Sequence, residues 1–252
     1  MIKLDGISIG YGKSILISKA DITFKSGKLT ALVGVNGCGK TTLIKTIGGL
    51  LSPKSGSVFI DGKDVSLLSE KERAQVVSYL PQSRRVPDMT VGELVLHGRF
   101  SHLSFPRVYS ENDRTKASEA MEKMGIKDLS NRPMYTLSGG MRQNAYVAMA
   151  LAGESDNILL DEPTTFLDVS AKIKLLETLS RLAESGRTII AVLHDLHLAL
   201  EYADEIAVMH DRRIRLFSSA DEVLDSGIIR EVFGVNIISA ESDGHRLYHF
   251  AR

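Results

Sequence analysis

Short apolar runs, rich in β-branched residues and fenced by turn-forming ones, recur along most of the chain. That pattern predicts strands. Residues 2–9 and 15–24 read as an early hairpin with Gly12 and Lys13 near its turn, and 29–33 as a short buried strand ending at glycines. Further strands are expected at 58–60, 76–80, 157–160, 188–193, 205–209 and 213–217. Between them the apolar spacing lengthens to that of a helix. Residues 40–47 follow the glycines, and 90–99 open on Thr90 and Glu93, spaced so that each side chain satisfies a free amide at the helix start. Segments 110–124, 138–152 and 170–185 each stop at a glycine, and the last carries Leu175, Leu176, Leu179 and Leu182 at helical spacing. Residues 236–252 alternate weakly, as a terminal hairpin or a loose tail would.

Strands and helices alternate at both ends of the chain, but 83–152 holds helix and loop alone. An α/β domain with a parallel core sheet and a helical insertion fits this arrangement. The expected division is a core from 1–82 and 153–235, an inserted lobe at 83–152 and a tail at 236–252. Within 252 residues that makes one domain.

Composition narrows the chemistry. Lysine plus arginine and aspartate plus glutamate number 31 each, so no bulk charge draws the chain to nucleic acid. One cysteine, Cys38, excludes an internal disulfide and suits a reducing compartment. The opening residues lack a signal peptide's basic and apolar blocks, and no apolar run nears the roughly 20 residues of a membrane helix.

Gly34-Val35-Asn36-Gly37-Cys38-Gly39-Lys40-Thr41, followed by Thr42, matches G-x-x-x-x-G-K-[ST] between a buried strand and a helix. The glycines let backbone amides turn inward around phosphate oxygens, and the helix N-terminus adds positive potential. Lys40 is expected to bridge the β- and γ-phosphates and Thr41 to hold Mg²⁺. Cys38 occupies a variable position and reads as a packing residue. Downstream, an apolar strand from Asn157 ends in Asp161 and Glu162. Neighbours on a strand point to opposite sides, so Asp161 can face the metal while Glu162 reaches an attacking water. Together the two motifs describe a nucleotide hydrolase or a kinase, without choosing between them.

A third anion-binding element, Ser138-Gly139-Gly140, opens a long helix. The same triplet serves simply as an N-cap and turn. One nucleotide has one triphosphate, so a second cradle is useful when it covers the exposed γ-phosphate, supplied most simply by another copy of the chain. Two copies head to tail then sandwich two nucleotides.

On these motifs the sequence resembles the ATP-binding cassette (ABC) ATPases over nearly its whole length. "LSGGMRQ", from Leu137 to Gln143, is similar to that family's signature. The resemblance implies a P-loop NTPase fold with a RecA-like, mostly parallel core sheet, an N-terminal antiparallel β subdomain and an inserted α-helical subdomain. It also implies roles: Tyr11 stacks on adenine, Gln82 touches Mg²⁺ and the water, Asp168 couples the two sites across the dimer, and His194 contacts the γ-phosphate. The sequence departs from the pattern at Asn144 and Met149, where the family commonly has basic residues, and at "MHDRRI", which lacks a usual turn glycine.

"HGRFSHL", His97 to Leu103, is similar to a segment of the importer ATPases for iron–siderophore, haem and cobalamin uptake. By that resemblance the helical lobe docks a permease, and Arg99 and Phe100 are interface or packing residues. The implied protein is the cytoplasmic, peripheral ATPase subunit of an inner-membrane importer. Two copies serve two permease subunits, and a periplasmic or lipoprotein binding protein delivers substrate. ATP and Mg²⁺ are the cofactors. An exporter ATPase stays open, because direction is not written in the cassette. A chromosome-maintenance ATPase needs a long coiled coil for which the interval from Lys40 to Ser138 leaves no room.

Overall fold

The structure is a computed structural model that describes residues 1–82, 85–242 and 245–251. The chain begins with β1 (Ile2–Ile9), β2 (Ile17–Phe24), β3 (Leu29–Gly34), α1 (Lys40–Ile47), β4 (Ser55–Ile60) and β5 (Lys63–Asp64). Then follow α2 (Glu70–Val76), β6 (Val77–Leu80), α3 (Val91–His97), α4 (Glu111–Lys123) and α5 (Gly139–Ala152). The second half runs β7 (Asn157–Asp161), α6 (Val169–Glu184), β8 (Thr188–Val192), α7 (Leu196–Tyr202), β9 (Glu205–His210) and β10 (Arg213–Ser218). It ends with α8 (Ala220–Asp225), α9 (Ile228–Phe233), β11 (Asn236–Ser242) and β12 (His245–Ala251).

The main sheet has the order β10-β9-β3-β8-β7-β6, all parallel except β10. Its central strands β3, β7 and β8 are buried at every residue, which is why their sequences run apolar without alternation. The period of two persists in what each residue touches. On β8, Ile189 and Ala191 face the core under the helices, while Ile190 and Val192 face a second core under the antiparallel sheet. That sheet, β2-β1-β4-β5, packs with α1 against one face of the main sheet, while α3, α5, α6 and α7 belong to the core on the other. No strand lies between β6 and α5 among the described residues, as the helical insertion requires.

Several boundaries move from their expected positions. β6 begins at Val77 because Val76 closes α2, whose capping box of Ser69 and Glu72 the apolar pattern did not reveal. β2 begins at Ile17 rather than at 15, and β4 reaches back to Ser55, which pairs with Ser8. The C-terminal residues form a hairpin rather than a loose tail, held to α7 by the Tyr248 hydroxyl on the Leu200 carbonyl at 3.2 Å. No helix among the described residues is long and apolar enough to cross a membrane.

Candidate functional site

β3 delivers the glycine loop at the C-terminal edge of the main sheet, and α1 begins at Lys40. Gly34, Gly37 and Gly39 all have positive φ, as an inward-turned chain of amides demands. At Gly34 a Cβ would also stand 2.3 Å from the Met209 carbonyl, so only glycine fits. Asn36 is exposed on the loop, Thr42 is buried behind it, and the Lys40 ammonium donates to the carbonyls of Gly34 at 2.8 Å and Val35 at 3.1 Å. This keeps a buried cation among the loop's own acceptors, beside the space the amides surround. Cys38 is half-buried, and burial pushes its thiol up despite nearby Lys40, so it remains a protonated packing residue.

Asp161, at the end of β7, is 2% exposed and accepts from the Thr41 hydroxyl at 3.0 Å and from Tyr79 at 3.2 Å. Burial raises its carboxyl above the usual range, and those two donors hold it back. A buried carboxylate aimed at the first turn of α1, next to a threonine hydroxyl, fits a hard divalent cation bound beside phosphates. Strand alternation is not what separates Glu162 from it. Glu162 has φ 52, and this left-handed residue swings its side chain out of the strand. One oxygen of Glu162 then accepts from Gln82 and, at 3.1 Å, from Thr165, while the other meets His194 Nε2. Gln82, Glu162 and His194, read from three separate segments, are thus brought together. Tyr79 and Thr165 were not anticipated. Tyr79 was detectable only as a hydroxyl-bearing residue within an otherwise apolar strand.

Tyr11 lies in the turn after β1, 55% exposed. The turn leads into Leu16 and Ile17, which pack within 3.4 and 3.6 Å of the position a Gly39 Cβ would take. Tyr11 thus sits exposed in the turn that precedes the segment packed on the loop.

Ser138 caps α5, its hydroxyl accepting from Met141 N at 3.3 Å. The triplet borders an open groove of about 330 Å³ lined on its far side by Phe166, Asp168, Ala171 and Lys174, and by no residue of the glycine loop. A Cβ at Gly140 would come within 3.1 Å of Ala171, so the small residues let the two segments approach. The Asp168 carboxylate caps α6 through Ala171 N at 2.8 Å.

The segment His97 to Leu103 forms a joint. A Cβ at Gly98 would lie 2.1 Å from the Met149 carbonyl, so α3 and α5 meet backbone to backbone there. Arg99, 4% exposed, donates to Asp113 at 3.0 Å, to the Ala152 carbonyl at 2.9 Å and to Glu154 at 2.7 Å. His102 Nε2 lies 2.9 Å from the Gly153 carbonyl. Of the two expectations for Arg99, the structure makes it a packing residue.

Residues 10–165 match the family model described as ABC transporter. The petrobactin import ATP-binding protein FpuD of Bacillus anthracis is 38% identical over 229 residues, 90% of this chain and 84% of its own. The ferric enterobactin transport ATP-binding protein FepC of Escherichia coli (strain K12) is 38% identical over 231 residues, covering 91% and 85%. A dimeric ATP-binding cassette in a post-hydrolysis state, bound to ADP and Pi, is structurally similar with a TM-score of 0.74 at 26% identity, covering 87% of this chain and 99% of that one.

Proposed function

The chain belongs to the ABC transporter family as an ATP-binding, ATP-hydrolysing protein, and from that premise we propose that it powers iron–siderophore import as one of two identical cassettes. The names of its relatives, petrobactin import and ferric enterobactin transport, support that class of cargo. Each copy works on the cytoplasmic face of the membrane, under a permease subunit, with a binding protein delivering the substrate outside. Residues 83–152 act as the lobe that meets the permease.

The carrying observation is the groove at Ser138, Gly139 and Gly140, bordered by no residue of this copy's glycine loop. In the proposed assembly it covers the γ-phosphate held by the partner's Lys40, Thr41 and Thr42. The same face exposes Phe166 at 93%, Val169 at 73% and Met141 at 41%, and Phe166 has φ 65. An exposed aromatic in a left-handed conformation is a costly arrangement for a free surface and a useful one for a contact. Tyr11 supplies a stacking face for the base, and Asp168 links the groove to α6. Thr41, Gln82 and Asp161 would hold Mg²⁺, which neutralises charge on the phosphates. Glu162 orients and polarises the water, steadied by Gln82 and Thr165, while Lys40 and His194 stabilise charge on the transferring group.

The hydrolysis-blocked variant Glu162→Gln is expected to sediment as an ATP-dependent dimer. Adding Ser138→Asp keeps an N-cap residue but places a negative charge against the γ-phosphate, and it should return the protein to monomers. Cells lacking the chain should also lose uptake of radiolabelled ferric siderophore. A monomer with ATP even in the presence of permease, or a dimer indifferent to Ser138→Asp, overturns the shared-site reading. Undiminished siderophore uptake overturns the cargo.

A further inference from the structure

β9 and β10 are joined by a two-residue turn, with His210 paired to Arg213 and Asp211 and Arg212 at its centre. Both central residues are left-handed, φ 47 and 60. Such turns suit a right-twisted hairpin but favour asparagine and glycine, because a Cβ crowds the backbone at positive φ. Aspartate is tolerated at the first position and Asp211 pairs with hairpin neighbours, but a left-handed arginine at 212 is a local expense with no return among the hairpin's ion pairs. Backbone strain of this kind gathers where a side chain has work to do.

The turn's position indicates which work. β9 runs parallel to β3 with Met209 level with Gly34, so the chain reverses one residue beyond the start of the phosphate loop. The Arg212 carbonyl accepts from Ser18 N at 3.1 Å. The preceding residue, Ile17, packs within 3.6 Å of the Cβ position of Gly39, the last glycine of the loop. The turn is thereby tied to both ends of the loop, through Met209 to Gly34 and through Ser18 to Gly39. Its charges are unequal in occupation. Asp211 is taken up by Arg215 at 3.6 Å and His210 at 3.3 Å, whereas exposed Arg212 makes no ion pair among the described residues.

We infer that Arg212 is a nucleotide-binding residue, its guanidinium contacting the polyphosphate of the ATP held by the Gly34–Thr41 loop. The inference rests on that loop being the nucleotide site. A planar, permanently charged fork is the side chain best suited to phosphate oxygens, and a strained turn fixes where its stem begins. The hairpin gives up local comfort and the nucleotide gains a second cation besides Lys40.

The test is equilibrium titration of fluorescent ATP into wild type, Arg212→Gly, Arg212→Asn and Arg212→Lys, with Lys40→Ala as control. Glycine and asparagine both accept the left-handed turn and remove the charge. Each should weaken ATP by roughly tenfold at low salt, the scale of one charge-assisted contact, with a smaller loss at high salt. Arg212→Lys should stay within about threefold of wild type. Arg212→Gly should raise Tm by about 2 °C, which separates lost affinity from lost fold. Wild-type affinity in the glycine or asparagine variant, or an equal loss in the lysine variant, overturns the inference. If wild type fails to bind ATP, or Lys40→Ala binds as tightly, the loop itself is misread and the inference falls with it.

Discussion

His194 Nε2 lies 2.5 Å from Glu162 Oε1, so the ends of β7 and β8 are joined through one carboxylate. The other oxygen of Glu162 is engaged by Gln82 and Thr165. These three partners fix the direction of the acid, as the role proposed for it, holding a water in line, requires. Glu162→Gln preserves size and removes the acceptor charge. Turnover should fall by about 10²–10⁴ while ATP affinity stays near wild type. Single-turnover hydrolysis with labelled ATP measures the first and nucleotide titration the second, and a wild-type rate removes Glu162 from its assigned role.

Asp161 presents the opposite case, a group whose charge harms the fold. Its carboxyl is raised because burial disfavours the anion. With the folded pKa above the unfolded one, the ionised form subtracts stability at every pH above the ordinary carboxylate value. Asp161→Asn should therefore raise Tm at pH 7 in the absence of nucleotide, keeping an acceptor for the Thr41 hydroxyl. The same change should abolish magnesium-dependent hydrolysis. A lowered Tm in calorimetry would show that the bonds from Thr41 and Tyr79 outweigh the burial of the charge.

The Arg99 joint makes a prediction about stability alone. Arg99→Met leaves Asp113 and the Ala152 carbonyl without their buried donor and should cost about 3 kcal/mol, or about 6–12 °C in Tm. Asp113 is held down to about 2, chiefly by the Ser110 hydroxyl and amide and then by Arg99. Its folded pKa lies below its unfolded one, so its contribution is complete above about pH 4 and drains away as the pH falls toward 2. The gap in Tm between wild type and Arg99→Met should narrow over that same interval. A gap unchanged from pH 7 to about 2 would place the stabilisation elsewhere.

The chemistry legible in the sequence was the chemistry written in consecutive residues. The glycine loop, the Asp161–Glu162 pair and Ser138-Gly139-Gly140 each carry their geometry in local spacing, so a strand or helix boundary suffices to place them. Partners that no motif marks, Tyr79 and Thr165, were not legible. Tyr79 reaches Asp161 only because β6 pairs with β7, and Thr165 reaches Glu162 only because residue 162 turns left-handed. In "HGRFSHL" the sequence leaves Arg99 open between interface and packing until α3, α4 and α5 converge on it. In the fold, the continuous apolar runs of β3, β7 and β8 announced themselves. The capped helix α2 did not, because none of its residues is buried and its sequence has no apolar face to count.

The C-terminal hairpin bears on how the protein is handled at the bench. Tyr248 stacks edge-on against His197 at 5.7 Å and bonds to Leu200, gripping the helix that starts two residues after His194. An affinity tag fused behind that hairpin loads the element that supports the histidine meeting Glu162. Assays of hydrolysis are best made with the tag removed or moved to the other terminus.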